Sequence, residues 1–294
     1  MNNRRIIIGC GYVGQRLARA EAANGFAMRA FVTRLDKAQR LSEAGIVCDV
    51  LDLDHATGHV HLDCAHAVIH YHVPPTASGT SDPRMQAFIR LLKQQALPKR
   101  IVLISTTGVY GNADGGWVTE ESPINPQTDR ARRRLDAEQQ LSSWTKQSKV
   151  ELVILRVPGI YGPGRTPEAR LGNPMVRKEE APFSNRVHVD DLVSACMHAA
   201  HINTAMPLYN INDNQPSTMT DYFNAVADHA GLPRPETISL EQAKSQLSAG
   251  MLSYLSESRR IDNTLMREHL AVTLRFPDLN SGLANCFKQR EASH

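Results

Sequence analysis

The stretch that decides the fold is Ile6-Ile7-Ile8-Gly9-Cys10-Gly11-Tyr12-Val13-Gly14, close to the N-terminus. Its apolar run predicts a buried strand, the glycines follow the pattern G-x-G-x-x-G, and the next residues predict a helix. Gly9 allows a sharp turn off the strand, Gly11 lets a pyrophosphate approach the backbone, and Gly14 lets helix and strand pack closely. Because a helix N-terminus presents free N–H groups, we expect Gly9 to Gly14, including Tyr12 and Val13, to hold a dinucleotide.

Length and composition exclude few functions. The chain has 294 residues and a formal net charge of +3, with 41% hydrophobic and 21% charged residues. This length accommodates one large or two unequal domains, and the balanced charge does not favour nucleic acid. No apolar run is long enough to cross a membrane, and the N-terminus leads directly into a strand, so we expect no signal peptide. Five scattered cysteines predict reduced thiols and a cytoplasmic location.

The residues after the second predicted strand, 28–32, bear on which dinucleotide is bound. NAD sites place an acidic residue about twenty positions beyond the glycines, where it contacts the ribose hydroxyls. Here Thr33 and Arg34 occupy that place, and the first acid is Asp36. A hydroxyl and a guanidinium suit a ribose phosphate, so the sequence favours NADP over NAD. The alternative is that Arg34 is an ordinary exposed loop residue.

Asp52 and Leu53 follow the third predicted strand, 46–50, and we assign both to the cofactor site. A carboxylate at Asp52 either accepts a hydrogen bond from the adenine amino group or caps a turn, and the sequence leaves both interpretations open.

Six histidines follow within a short distance: His55, His59, His61, His66, His70 and His72. Imidazole is a common metal ligand, but the stretch has no H-E-x-x-H and no cysteine or carboxylate at ligand spacing. We therefore predict no metal site there.

A fourth strand is predicted over 67–71, because its apolar run is typical of a parallel strand buried on both faces. Ligands in such sheets bind at the carboxyl ends of the strands. Tyr71 and His72 are therefore candidate proton donors, and Tyr71 is also a candidate cofactor contact. The alternative is that both side chains only wall the cofactor site.

Four further blocks of sequence follow along the chain. They are Ser105-Thr106-Thr107-Gly108-Val109-Tyr110-Gly111, Arg156-Val157-Pro158-Gly159-Ile160-Tyr161-Gly162-Pro163-Gly164, Val187-His188-Val189-Asp190-Asp191-Leu192 and Tyr209-Asn210-Ile211. With the glycine motif and the strand at 68–70, they resemble the extended short-chain dehydrogenase/reductase superfamily, of the NAD-dependent epimerase/dehydratase type. The resemblance covers nearly the whole chain.

The resemblance implies an α/β fold, with a Rossmann-type doubly wound parallel sheet and a smaller, mostly helical C-terminal substrate region. It places the dinucleotide-binding domain at 1–162, taking in about 187–215, and the substrate-side region at 163–186 and 216–294. It also places Ser105 and Pro158 beside the cofactor.

The catalytic core of that superfamily combines a Ser or Thr after the fifth strand with a Y-x-x-x-K pair. The resemblance puts Thr106 at the hydroxyl position, with Arg130 and Arg134 at the tyrosine and lysine positions. A guanidinium stays charged at neutral pH, so Arg130 cannot donate the proton, whereas Arg134 keeps the positive charge of a lysine. The chain therefore resembles an atypical member that lacks the Tyr-x-x-x-Lys pair.

Four arginines open the helix that follows: Arg130, Arg132, Arg133 and Arg134. Arg130 and Arg134 share a helical face, and we predict that they bind a phosphate or carboxylate of the substrate. We expect the other two to point elsewhere. The alternative for the whole cluster is an exposed face with i,i+4 pairs such as Arg132–Asp136 and Arg134–Glu138.

Two functions of different classes follow from these observations. The first is an NAD(P)-binding oxidoreductase or epimerase-like enzyme that transfers hydride to or from a small carbonyl, hydroxyl or sugar-nucleotide substrate. Thr106 would polarise the reacting oxygen, and Tyr71, His72, Tyr110, Tyr161 or water would supply the proton. The second is a non-catalytic NAD(P)-binding module that senses redox state or regulates a partner. We expect an anionic small molecule as substrate, no nucleic-acid or membrane partner and, by analogy with the fold, a homodimer.

Overall fold

The computed structural model describes residues 4–55, 60–203 and 206–291, without the side chains of 289–291. His59 of the histidine-rich stretch lies outside these residues. The strands are β1 (Arg4–Ile8), β2 (Ala27–Val32), β3 (Cys48–Val50), β4 (Val68–Tyr71), β5 (Arg100–Thr106), β6 (Trp117–Val118), β7 (Glu151–Val157), β8 (Gly159–Tyr161), β9 (Met175–Val176), β10 (Phe183–Ser184), β11 (Arg186–His188), β12 (Leu208–Asn210), β13 (Ser217–Thr218), β14 (Thr237–Ile238) and β15 (Arg260–Ile261).

The α-helices are α1 (Tyr12–Ala23), α2 (Leu35–Glu43), α3 (Pro83–Leu92), α4 (Asp129–Ser148), α5 (Val189–His201), α6 (Met219–Ala230), α7 (Leu240–Gln246), α8 (Ala249–Leu255), α9 (Thr264–Glu268) and α10 (Leu279–Glu291). None of these helices, within the described residues, has the length and apolar character needed to cross a membrane.

Seven of the strands form one parallel sheet in the order β12-β7-β5-β4-β1-β2-β3. The chain runs outward from β1 through β2 to β3, and then returns to the other side of β1 to form β4. Ligands in open parallel sheets bind where the strand order reverses in this way, at the carboxyl ends of the strands. The predicted doubly wound parallel sheet is confirmed, and its reversal point lies between β1 and β4.

Alternate residues of β1 pack into opposite layers of the protein. Ile7 joins the cluster that includes Leu17 of α1 and Leu192 of α5. Ile6 and Ile8 face the other way, into the cluster formed with α3 and α4. Because side chains alternate along a strand and both faces are covered by helices, the run has to be apolar throughout.

Short paired strands surround the carboxyl edge of the sheet. β8 pairs with β11, β9 with β14, β10 with β13 and β6 with β15. The last three of these pairs bring chain from beyond residue 216 back against segments from the first two thirds of the sequence. The division into a dinucleotide-binding domain and a substrate-side region stays a prediction.

A buried ion pair joins α4 to the sheet. Arg156 of β7 donates to Glu138 of α4, with Nη2 2.7 Å from Oε2 and Nε 3.2 Å from Oε1. Ser105 of β5 also donates to Glu138. The side chains of Arg156 and Glu138 are 4% and 5% exposed, so neither charge is solvated when its partner is absent.

We therefore expect Glu138→Gln to lower the free energy of unfolding by about 3–5 kcal/mol, because it leaves the Arg156 guanidinium buried without a counter-charge. Urea unfolding measures the change. The matched control is Asp228→Asn, which removes an exposed partner of Arg234, and we expect it to cost less than about 1 kcal/mol. Equal losses in the two variants would contradict this account.

Candidate active site

The glycine loop between β1 and α1 leaves open space at Gly11. Gly9 has φ +89°, and a Cβ there would lie 3.0 Å from the Val73 backbone nitrogen; a Cβ at Gly14 would lie 3.1 Å from Ile7 Cγ2. These two glycines are required by packing within the protein. At Gly11 the nearest described atom would be 3.9 Å away, and no described side chain caps the N-terminus of α1. The loop therefore fits a dinucleotide pyrophosphate, which would take this space and the free N–H groups.

Tyr12 links this loop to the turn after β8. Its hydroxyl donates to the Pro163 carbonyl oxygen at 3.0 Å, and Arg16 Nη2 donates to the same oxygen at 3.2 Å. The guanidinium carbons of Arg16 and Arg165 lie 4.0 and 5.2 Å from the centre of the Tyr12 ring. Val13 is buried in the core below. Two cationic side chains thus stand beside the loop predicted to hold phosphates.

Thr33 and Arg34 are exposed at the end of β2. Arg34 is engaged by Asp36, since its Nε and Nη2 donate to the two carboxylate oxygens at 2.9 Å each. Asp36 also pairs with Arg40. An exposed ion pair contributes little to stability, so Arg34 is available to a ribose phosphate at small cost. The NADP preference stays a prediction.

Asp52 and Leu53 lie at the end of β3. Asp52 accepts from the Asp54 backbone N–H at 2.9 Å and contacts His55 Nδ1 at 3.1 Å, so it caps a local turn. Leu53 is buried in the core beside α3. Of the two interpretations left open for Asp52, the turn cap is present, and the adenine contact stays a prediction.

A cavity of about 1240 Å³ opens at the carboxyl ends of β5 and β7. It brings together five of the residues predicted from the sequence: Ser105, Thr106, Arg130, Arg134 and Pro158. They come from β5, α4 and the turn after β7, and they meet because these elements all end at the same edge of the sheet.

Thr106 is the hydroxyl group best placed in this cavity. Its Oγ1 accepts from the Gly108 backbone N–H at 3.1 Å, which caps the short 3₁₀ helix Thr107–Tyr110. The hydroxyl proton is then left to donate to another oxygen. Ser105 lines the cavity with its backbone side, since its own hydroxyl is buried and donates to Glu138.

Tyr161, one of the four candidate side chains for proton transfer, lines the cavity, but the other three do not, which corrects that expectation. Tyr71 is fully buried with its ring 4.7 Å from Phe88, and burial raises the pKa of its hydroxyl. Tyr110 is buried, and its hydroxyl donates to Asn210 Oδ1 at 2.8 Å. His72 has both ring nitrogens buried, and burial holds its pKa well below the usual range. Because side chains alternate along a parallel strand, a residue at the strand end can point into a covered layer.

The arginines of α4 differ in part from expectation. Arg130 stacks on Tyr254, with Cζ 4.4 Å from the ring centre, and Arg134 donates to the Val73 carbonyl oxygen at 3.0 Å. Both line the cavity, and so does Arg133, which was expected to point elsewhere.

The i,i+4 pairs named as the alternative are absent from the described residues. Arg132 pairs with Asp129 at 2.7 Å, and Glu138 pairs with Arg156 in place of Arg134. Asp136 and Glu138 therefore form no direct ion pair with the cavity arginines of the described residues, although Glu138 and Asp82 act on Arg134 electrostatically.

Positive charge dominates the cavity wall. Seven arginines line it, namely Arg130, Arg133, Arg134, Arg165, Arg170, Arg186 and Arg259, against one acid, Glu257. Glu257 pairs with Arg259 at 2.7 Å. Of the other six guanidinium groups, none forms an ion pair with a carboxylate of the described residues. The cavity wall therefore carries an excess of positive charge.

Arg186 is a cavity residue that the sequence analysis missed, as is Tyr254. Arg186 is 5% exposed, its Nη1 donates only to the Asn185 carbonyl oxygen, and its Nε has no hydrogen-bond partner among the described residues. Asp213 acts on it electrostatically, but burial raises the pKa of Asp213 to about 7, so that carboxyl neutralises it only in part near neutral pH. Arg186 lies in a strand of only three residues, directly before one of the quoted motifs. Such a short strand shows no hydrophobic periodicity, so no sequence pattern marked this arginine.

Comparison with known families decides where the chain belongs. The model of the NAD dependent epimerase/dehydratase family matches residues 6–211, which is well over half of the chain. The chain belongs to this family. The match begins within β1, extends through the glycine loop and the cavity-lining strand ends, and closes with β12, so it covers the whole central sheet.

The curated relatives are distant in sequence. Protein YeeZ of Escherichia coli K12 is 28% identical over 287 residues, covering 92% of this chain and 96% of the relative. A dTDP-L-rhamnose 4-epimerase of Burkholderia thailandensis is 23% identical over 194 residues, covering 50% of this chain and 53% of the relative.

Solved structures match over almost the full length. A conserved protein of unknown function from Silicibacter pomeroyi superposes with a TM-score of 0.85 at 27% identity, covering 98% of this chain and 99% of that one. The UDP-glucuronic acid 4-epimerase of Bacillus cereus in complex with NAD superposes with a TM-score of 0.76 at 15% identity, covering 97% and 96%. The second likeness shows a shared fold and no more.

The packing of the loop makes a prediction about its glycines. We expect Gly9→Ala to lower the free energy of unfolding by about 1–3 kcal/mol, since an alanine is strained at φ +89° and its Cβ meets the Val73 backbone. Gly11→Ala should change it by less than about 1 kcal/mol, because open space receives the methyl group and the backbone φ is negative. Thermal and urea unfolding of the two variants provide the comparison, and a Gly11→Ala loss as large as that of Gly9→Ala would refute it.

Proposed function

We propose that this protein is an NAD(P)-dependent enzyme that transfers hydride to or from an anionic small molecule, a sugar nucleotide being the class favoured by its relatives. The observation that carries the proposal is the cavity at the carboxyl edge of the sheet, where Thr106 meets six arginines without a described ion-pair partner. The named ligands of two solved neighbours, UDP-glucuronic acid and UDP-glucose with NAD, agree with a nucleotide-bound anionic substrate.

The glycine loop would hold the dinucleotide through the space above Gly11 and the N-terminus of α1, with Arg16 and Arg165 beside it. When bound, the nicotinamide ring supplies or accepts the hydride. Ser105 and Pro158 lie at the strand ends that would face that ring. At the other end of the dinucleotide, the exposed side chains after β2 would meet a ribose phosphate, which is why we propose NADP ahead of NAD.

In the cavity, Thr106 would donate its hydroxyl proton to the reacting oxygen and polarise it. Arg134, at the lysine position of the superfamily, would keep a positive charge beside that oxygen and the ribose. The proton that accompanies the hydride needs another donor, and we propose Tyr254, a cavity phenol on α8 whose ring lies under the Arg130 guanidinium.

The substrate would be held by its negative charge. A guanidinium buried without a counter-ion is costly, and such groups persist where a ligand supplies the charge. Arg186, Arg133 and Arg134 are of this kind, and each retains N–H groups to donate to a phosphate or carboxylate. Arg130, more exposed, would contact the same ligand from the cavity mouth.

The second candidate function is a non-catalytic NAD(P)-binding module, and the loss of the Tyr-x-x-x-Lys pair favours it. A module that only senses the dinucleotide has no need of an open cavity beside it, yet the arginines at positions 130 and 134 leave about 1240 Å³ unfilled. Incubating the protein with NAD(P)⁺ and UDP-glucuronic acid or UDP-glucose, and following reduced nicotinamide and the sugar product, separates the two functions. Dinucleotide binding without turnover across a panel of such anionic substrates would favour the module.

The proposed NADP preference is tested by titrating the protein with NADPH and with NADH. We expect the wild type to bind NADPH more tightly, and Arg34→Ala to lose about tenfold for NADPH and little for NADH, as fits one lost charged hydrogen bond to phosphate. Lys37→Ala, a change to a nearby cation on α2, is the matched control. Equal affinities of the wild type for the two dinucleotides would refute the assignment.

The anion site is tested on protein saturated with NADPH, so that the glycine loop is occupied, by calorimetric titration with inorganic pyrophosphate. We expect Arg186→Gln to weaken binding by about tenfold or more, because it removes a buried charged donor. Arg177→Gln, which changes an exposed arginine paired with Glu180, should leave the affinity unchanged. Wild-type protein that fails to bind pyrophosphate, or an Arg186→Gln variant that binds it as well as the wild type, would contradict the proposal.

A further inference from the structure

A cluster of two histidines and a cysteine lies between the sheet and helices α1 and α5, apart from the cavity. His70 is in β4, His72 comes directly after that strand, and Cys196 is in α5. One nitrogen of each histidine and the cysteine sulfur all lie within 4.8 Å of one another. His70 and His72 point to the same side because residues two apart share a face of a strand.

The ring nitrogens of this cluster are not used by the protein itself. All four nitrogens of His70 and His72 are buried, and none has a hydrogen-bond partner among the described residues. The two rings are 5.9 Å apart between centres. Buried polar atoms are nearly always paired, and since Glu21 approaches only His70 Nε2, the other three ring nitrogens call for a partner.

Metal binding here requires a neutral imidazole from each histidine and a thiolate from Cys196. Binding of a divalent ion would form the metal–sulfur bond and break the S–H bond, releasing one proton to solvent.

A second layer of residues completes the arrangement. Glu21 of α1 is fully buried, and its Oε1 lies 3.8 Å from His70 Nε2. Its charge is balanced by Arg5, whose Nε is 3.5 Å away and whose Nη2 contacts His201 Nε2 at 2.8 Å. A carboxylate on the outer nitrogen of a ligating histidine is the usual support of such ligands, and it leaves His70 Nδ1 free to face His72 and Cys196.

We propose that His70, His72 and Cys196 bind one zinc ion. Two nitrogens and one thiolate match the donors zinc prefers and exclude calcium and magnesium, and three protein ligands leave a fourth position for water. Zinc bonds of about 2.0–2.3 Å imply ligand atoms roughly 3.3–3.8 Å apart, so the side chains would draw together by about 1 Å on binding.

The site would brace the reversal point of the sheet. The His72 backbone N–H donates to the Ile8 carbonyl oxygen at 2.8 Å, next to Gly9, and α5 supplies the third ligand. Zinc would thus tie the end of β4 to α5 directly below the glycine loop. The sequence analysis predicted no metal in this stretch because it considered spacing along the chain, and Cys196 comes from a distant element.

The test is the metal content of the full-length protein, purified from zinc-supplemented medium without an affinity tag that binds metals, and measured by inductively coupled plasma mass spectrometry. We expect about one zinc per chain in the wild type, and loss of most of it in Cys196→Ala and His72→Ala. Cys286→Ala, which changes a buried thiol of α10 outside the cluster, is the matched control and should retain the zinc.

A cobalt-substituted wild-type protein tests the site independently of whether the variants fold. Cobalt at the proposed site should give a thiolate-to-metal charge-transfer band in the near-ultraviolet and should raise the melting temperature above that of chelator-treated protein. Wild-type protein that takes up neither zinc nor cobalt would overturn the proposal. So would zinc that remains in a folded Cys196→Ala variant, or that is lost equally from Cys286→Ala.

Discussion

The structure depends on the close packing of Gly9 against the start of the segment after β4. A Cβ at Gly9 would meet the Val73 backbone, and the backbone there is in the left-handed region. This contact sets where β1 ends relative to β4, and so where the sheet reverses its strand order. Because all seven strands are parallel, the ends of β5 and β7 open at the same edge. The glycine loop and the arginine-lined cavity are neighbours for that reason.

Charge is distributed unevenly around this edge. The buried arginines outside the cavity are matched by carboxylates: Arg5 by Glu21, Arg100 by Glu151 and Arg156 by Glu138. In the cavity, Arg134 instead donates to the Val73 carbonyl oxygen and Arg130 stacks on the Tyr254 ring. Carbonyl oxygens satisfy N–H groups but do not neutralise the charge. The difference between the two environments is the physical basis for our proposal that the cavity binds an anionic ligand.

The resemblance predicts arginines in place of the Tyr-x-x-x-Lys pair, and this would change how the superfamily's roles are distributed. In the proposed enzyme a cation stays at the lysine position through Arg134, while the proton would come from Tyr254 on α8, an element beyond the central sheet. Arg130, at the predicted tyrosine position, lies over that same phenol. The two arginines would therefore keep the electrostatic part of the site, and a residue distant in sequence would supply the acid.

The sequence by itself determined the doubly wound sheet. The glycine spacing acts through local backbone geometry, and the apolar runs act through burial. It also identified Thr106, Arg130 and Arg134, which line the cavity, since they lie at fixed distances from recognisable motifs. Only the tertiary structure decided which way side chains at strand ends point. It placed Tyr71, Tyr110 and His72 in covered layers, and it brought Arg186 into the cavity and Cys196 to the histidines. Such placements depend on contacts between distant elements, which no local pattern encodes.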